Sequence, residues 1–296
     1  MNPTHRNRWV LAARPATLPA SVAPVAVGAA LAGRDDVFRP DVLLVTVVAA
    51  LAIQVGVNFA NDLADAARGA DTPARIGPTR AVAAGLVSPQ EMRVAIGAVF
   101  TVATLCGAYL TAIAGPWVVV IGVASMAAAL GYTGGPLPYG YHGLGEVFVF
   151  VFFGLAATVG SRFVYNGAVG PGAWPSGVAM GCLATALLVV NNVRDLETDR
   201  AAGKRTLAVI LGRGPTRVLY AVLLAAAFGA IGGAVAGDSL PSPALLGLAA
   251  LPMALRPVVT VATTTAGPDL IGALRATARL ELAVAALLSA GILLSA

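Results

Sequence analysis

Residues Cys182–Thr206 read CLATALLVVNNVRDLETDRAAGKRT. Nine uncharged residues give way to three carboxylates, two asparagines and four cations within the sixteen positions Asn191–Thr206. The apolar run belongs in hydrocarbon and the charged run does not. The boundary between them therefore marks the polar end of a membrane helix.

The rest of the chain agrees. Of its 296 residues, 58% are hydrophobic and 11% charged. Soluble domains carry about 25% charged residues, so this chain has too little polar surface to coat a water-soluble globule. The composition predicts an all-α polytopic membrane protein, a single domain over 1–296, because only helices satisfy their own backbone in lipid. A span needs about 20 residues. Nine apolar segments meet that length approximately, near 16–33, 41–61, 92–113, 116–132, 144–165, 174–194, 215–236, 243–260 and 278–295. The polar stretches 62–91, 195–214 and 261–277 read as long loops at one end, the first closing on the helix start Ser88-Pro89-Gln90-Glu91.

Cations fix the orientation. A cytoplasmic N-terminus leaves only Arg34, Arg39 and Arg162 outside and puts the C-terminus outside. The basic pI of about 9.7 is thus a topological signal and does not imply nucleic acid. No cleavable leader is legible before the first segment, because Pro15 and Pro19 break any apolar run there. Cys106 and Cys182 sit in apolar stretches without metal-ligand spacing. Lys204 is the single lysine, a usage that points to a GC-rich bacterial genome. Arg162 near an outer end reads as snorkelling, and Glu146 as a carboxylate at a helix N-terminus.

The charged end of the sixth segment has a counterpart. The second segment ends NFANDLADAARGADTPARIGPTR, Asn58–Arg80. Asp62 and Asp65 are three apart, Asp195 and Asp199 four apart, so each pair shares a helix face. Asn58 and Asn192 lie about one turn before them, beside Asn61. Two carboxylates about 6 Å apart repel by roughly 3 kcal/mol at an effective dielectric of about 20. A hard divalent cation removes that repulsion, and Mg²⁺ takes oxygen ligands while keeping positions for phosphate oxygens. Arg68, Arg75, Arg80, Arg194, Lys204 and Arg205 suit the remaining phosphate charge.

These motifs, Asn61-Asp62-x-x-Asp65 and Asp195-x-x-x-Asp199 on the second and sixth of nine segments, resemble those of the UbiA-type intramembrane prenyltransferases over essentially the whole chain. The resemblance implies nine helices around a central cavity, an isoprenyl diphosphate held through Mg²⁺, with two ions expected, and prenyl transfer to an acceptor. It implies that Asn61, Asp62, Asp65, Asp195 and Asp199 hold the metal. Asn58 and Asn192 would support them, and Arg75, Arg80, Lys204 and Arg205 would contact phosphate. One departure narrows the branch. Gly69 stands where many members have a third aspartate, and the acid comes two later, at Asp71. With Arg75-x-Gly-Pro-x-Arg80, Arg14-Pro-Ala-Thr-Leu18, Tyr132-Thr-Gly-Gly-Pro136, Gly143-Leu-Gly-Glu146 and Gly203-Lys-Arg-Thr-Leu207, the pattern is similar to the branch that prenylates 1,4-dihydroxy-2-naphthoate in menaquinone biosynthesis. That implies polyprenyl diphosphate as donor, loss of carbon dioxide, and a demethylmenaquinol product in a bacterial cell membrane, with the site toward the cytoplasm. Asp71 would either orient Arg75 or activate the acceptor. Tyr132 would line the acceptor pocket or serve as an interfacial tyrosine. Acceptors such as 4-hydroxybenzoate, homogentisate or a tetrapyrrole are the alternatives within the class. A secondary transporter is the alternative outside it, disfavoured because the acids lie near a membrane interface.

Overall fold

The computed structural model describes residues 8–69, 77 and 79–295, and every regular element among them is a helix. The chain opens with α1 (Arg8–Ala13), a 3₁₀ turn at Pro15–Thr17 and α2 (Pro19–Arg34). The axis bends by 53° between the first two and α2. Pro15 and Pro19 and the left-handed Arg14 (φ 52°) impose the break. Next come α3 (Pro40–Ala67), α4 (Pro89–Ala114) and α5 (Trp117–Gly131). After a 3₁₀ turn at Tyr139–His142 follow α6 (Gly145–Phe163), α7 (Ala173–Ala201) and the short α8 (Leu207–Leu211). α9 (Arg213–Ala236), α10 (Ser242–Thr263) and α11 (Gly267–Leu293) complete the bundle.

Seven of these helices are long and apolar enough to cross a bilayer, or eight with the bent Arg8–Arg34 pair taken as one span, among the described residues. The ninth expected segment is α5. Its 15 residues rise only about 22 Å at 1.5 Å each, short of the ~30 Å of hydrocarbon.

Two boundaries differ usefully from expectation. α3 and α7 do not stop where hydrophobicity stops. They run on to Ala67 and Ala201 and so carry both acidic pairs as helix. The stretch 261–277 is not a long loop, because α11 already starts at Gly267, with Pro268 in its first turn. Its polar residues divide by face: Arg275 and Arg279 are exposed, whereas Thr277 is buried and shares a hydrogen bond of 2.8 Å with the Tyr220 hydroxyl. The Ser88 start is a full capping box, with Ser88 accepting from the Glu91 amide and Glu91 from the Ser88 amide.

α7 is the hub. Its inner residues, from Ala179 to Val193, form the centre of the main apolar cluster, and it packs on α6, α9 and α11. Glycines set the approach to α6: a Cβ on Gly154 would lie 2.3 Å from the Gly181 Cα. Membrane helices lack a hydrophobic drive to associate and rely on such backbone proximity. Gly154→Val is therefore expected to force α6 from α7 at an overpacking cost of about 1–3 kcal/mol or more. Thermal unfolding in detergent checks this, with a lowered midpoint expected.

The end of the bundle where α2 gives way to α3 is locked by Arg162. It does not snorkel. It is 3% exposed and donates to Asp35 (Nε, 2.8 Å), Asn166 (2.9 Å) and the Ala168 carbonyl (3.2 Å). Trp117 and Trp174 at span ends are exposed, as interfacial anchors are.

Candidate active site

At the end opposite Arg162, α3 and α7 bring their acidic ends to one cavity. The cavity has a volume of about 390 Å³. α3 lines it with Asn58, Asn61 and Asp65, at the i, i+3, i+7 spacing of one helix face. α7 faces back with Asn191, Asn192, Arg194, Asp195 and Asp199. Arg80, Lys204, Tyr132, Thr133 and Tyr141 come from the connecting loops.

Asp65 is the focus of the contacts. It is 1% exposed. Its Oδ2 takes Arg80 at 2.9 Å and lies 3.3 Å from the Lys204 ammonium. Its Oδ1 accepts from the Tyr141 hydroxyl at 2.8 Å. Lys204 also lies 3.9 Å from Asp199, so one ammonium ties the two acidic ends together. Across the cavity Asp195 is matched by its neighbour Arg194, whose Nε donates at 2.7 Å and whose terminal nitrogen reaches the second oxygen and Asn191 (2.8 Å). Asp65 and Asp195 thus each have a cation beside them, which offsets the cost of burying their charge.

The asparagines hold the walls. Asn58 donates to the Ala13 carbonyl (2.8 Å) and to Thr17 (3.1 Å), seating the Arg14–Leu18 break over α3. Thr133 donates to Asn61 at 2.8 Å. Asn192 donates to Glu146 at 2.8 Å. Glu146 does open α6, but it is buried, and it accepts this side-chain bond as well as facing the helix N-terminus.

Two expected contacts lie elsewhere. Asp62 does not line the cavity. Its two oxygens accept from the Ala81 (2.9 Å) and Val82 (3.0 Å) amides, which pins the turn following Arg80. Arg205 is exposed and outside the lining, and its backbone amide donates to the Tyr141 carbonyl at 3.0 Å. Asp71 and Arg75 fall outside the described residues. Tyr132 does line the cavity, in edge contact with Tyr139 at 5.4 Å. Burial pushes the phenols of Tyr132 and Tyr139 above the usual tyrosine range, so both stay neutral donors.

Tyr141, Thr133 and Asn191 were not singled out as site residues from sequence, and Arg194, expected there to suit phosphate charge, pairs with Asp195. For Tyr141 the only signal is its place in the loop between the Tyr132 and Gly143 motifs. Its ring carries Lys204 at 4.8 Å, which lies beside Asp65 and Asp199, and Arg68 at 5.4 Å, whose guanidinium donates to the Gly135 carbonyl at 2.7 Å.

No group of three or more acidic, histidine or cysteine side chains is preassembled among the described residues. The donor set nonetheless fits Mg²⁺. It is all oxygen, from Asn61, Asp65, Asp195 and Asp199 on two walls of one cavity, and Mg²⁺ is usually held by one or two carboxylates with substrate phosphates completing the shell.

The UbiA prenyltransferase family matches residues 21–271. A protein of Mycobacterium leprae described as 1,4-dihydroxy-2-naphthoate octaprenyltransferase is 40% identical, covering 97% of this chain and 96% of that protein. A UbiA homolog from Aeropyrum pernix has the same fold at TM-score 0.68 and 17% identity, over 92% of this chain and 97% of its own. Another, from Archaeoglobus fulgidus and solved bound to DMAPP and Mg²⁺, matches at TM-score 0.62 and 15% identity, over 95% and 99%. A multi-pass membrane enzyme of prenyl transfer, the chain belongs to the UbiA prenyltransferase family.

Proposed function

We propose that the chain transfers a polyprenyl group from polyprenyl diphosphate to 1,4-dihydroxy-2-naphthoate, releasing diphosphate and carbon dioxide and giving a demethylmenaquinol. The observation that carries this reading is the meeting of Asn61, Asp65, Asp195 and Asp199 with Arg80, Arg194 and Lys204 in one cavity. The acceptor rests on the 40% identical Mycobacterium leprae relative and on the Gly69-x-Asp71 variant.

Asn61, Asp65, Asp195 and Asp199 would hold Mg²⁺, two ions in this reading, which when bound supply charge stabilisation for the departing diphosphate. Arg80 and Lys204 then turn from the carboxylates to the phosphate oxygens, with Arg75 as a further cation on the loop. Asp62 positions that loop, and Asn58 and Asn192 brace the walls. Asp71 either orients Arg75 or activates the acceptor. Tyr132 lines the acceptor side. The C1–O bond of the donor breaks and its electron pair leaves on diphosphate. The ring carbon bearing the carboxylate attacks C1. The carboxylate leaves as carbon dioxide, and its bonding pair restores the aromatic ring. The apolar walls exclude water from the allylic cation.

Nine spans, a cytoplasmic N-terminus and a site facing the cytoplasm of a bacterial cell complete the reading, supported by the sixteen cations at that end against three at the other. Soluble naphthoate then enters from water while the lipid tail stays in the bilayer.

Purified protein in detergent with geranylgeranyl diphosphate, Mg²⁺ and either 1,4-dihydroxy-2-naphthoate or 4-hydroxybenzoate tests the acceptor. The expected product mass is prenylated naphthoate minus carbon dioxide. Product from benzoate alone would overturn the acceptor and leave the prenyl donor standing.

A further inference from the structure

Glu146 is a buried carboxylate with no part in the scheme above. Among the described residues it is matched by the Asn192 amide and by no cation. A carboxylate has no hydrogen to give, so Asn192 must turn its NH2 group to Glu146. The two ends of a carboxamide are alike in shape, and this bond settles which one is free. Asn192 Oδ1 points away from Glu146 and accepts from no described residue. It belongs to a side chain that lines the cavity.

What that oxygen can hold is limited. An amide oxygen only accepts, so it cannot bond the oxygens of diphosphate and is left with a hydroxyl or a metal ion. Its surroundings favour the hydroxyl, because the wall on the Glu146 side is aromatic. Tyr132 covers the start of α6: a Cβ on Gly145 would lie 3.4 Å from its ring and 3.5 Å from its hydroxyl. Tyr132 meets Tyr139 edge-on, Tyr139 stacks on Phe148 at 3.8 Å, and Phe152 follows Phe148 at 6.0 Å. The Tyr139 hydroxyl holds its ring in place by donating to the Ala128 carbonyl at 2.8 Å. All four rings line the cavity. Such a wall offers faces and edges on which a flat ring packs.

We propose that Glu146 is a positioning residue for the aromatic acceptor: it holds the Asn192 oxygen free toward the cavity, and that oxygen accepts the hydrogen bond of a ring hydroxyl. This rests on the prenyl-transfer reading above. A hydroxyl that donates keeps more electron density on its own oxygen and, through it, on the ring carbon that attacks C1. The carboxylate behind Asn192 polarises the carboxamide and strengthens that bond. The pair therefore selects a hydroxylated ring, since a ring without the hydroxyl leaves a buried acceptor unpaired. No proton has to move to Glu146.

Glu146→Leu, Glu146→Gln, Asn192→Ala and the Glu146→Leu/Asn192→Ala double variant test this with 1,4-dihydroxy-2-naphthoate and geranylgeranyl diphosphate. In Glu146→Leu the carboxamide is released to turn either end inward. Its kcat/KM for the naphthoate is expected to fall at least about tenfold, the scale of one lost hydrogen bond to a charged group. Gln keeps an oxygen for the Asn192 amide and should restore most of that loss. Donor KM and the Mg²⁺ concentration for half-maximal activity stay within about twofold in both Glu146 variants, the margin expected of uncoupled sites. Because Glu146 acts through Asn192, the double variant should lose no more than Asn192→Ala alone. Additive losses, an unchanged naphthoate kcat/KM in Glu146→Leu, a raised Mg²⁺ requirement, or equal losses for donor and acceptor would overturn the assignment while leaving prenyl transfer intact. If the wild type forms no prenylated product from the naphthoate, both readings fall.

Discussion

Asp65→Asn is expected to reduce kcat by at least about 100-fold, the scale on which removing one preorganised electrostatic group acts. The side chain can still accept from Tyr141, so the fold should survive. What is lost is the charge that Arg80 and Lys204 face. Without it nothing at that position offsets a cation, and the two basic groups repel each other. Asp65→Ala adds a stability loss of about 3–5 kcal/mol, because the buried Arg80 loses its ion pair with Asp65. Single-turnover prenyl transfer read beside the thermal midpoint separates the two effects. Full activity in Asp65→Asn would remove Asp65 from the centre of the site.

Asp62→Ala should fail differently. Each amide-to-carboxylate bond to Ala81 and Val82 contributes about 1.5–3 kcal/mol, so the variant should lose about 3–6 kcal/mol and release the turn that delivers Arg80. The thermal midpoint falls and the donor KM rises, since Arg80 no longer meets Asp65. Asp62→Asn keeps one acceptor oxygen and should recover part of the stability. The Mg²⁺ concentration for half-maximal activity stays unchanged in the Asn variant. A shift there at an unchanged midpoint would return Asp62 to the metal.

Seven or eight of the nine expected spans and the two acidic ends were legible because hydrophobic runs and i, i+4 spacing are local properties. The choice between Asp62 and Asp65 was not. Asn58 is followed by acids or amides at +3, +4 and +7, and two of the three can face the cavity. The amides of Ala81 and Val82, nineteen and twenty residues on, draw Asp62 away, and no local pattern announces them. Lys204 and Arg205 are adjacent and chemically alike. The turn at Gly203 (φ 74°) sends the first inward and the second to the surface. Arg162 read as snorkelling because its partner Asp35 is 127 positions away. The helical extension of α11 was missed for a related reason: its buried Thr277 and exposed Arg275 average to a polar stretch when the face is ignored.

The central claim is that the acidic ends of α3 and α7 form a single metal-assisted diphosphate site. Calorimetric binding of geranylgeranyl diphosphate, with and without Mg²⁺, to wild type, Asp65→Asn and Asp195→Asn tests it most directly. Binding that needs Mg²⁺ and is lost in both variants is the predicted result. Tight binding without Mg²⁺, or loss in one variant with the other unaffected, would contradict it.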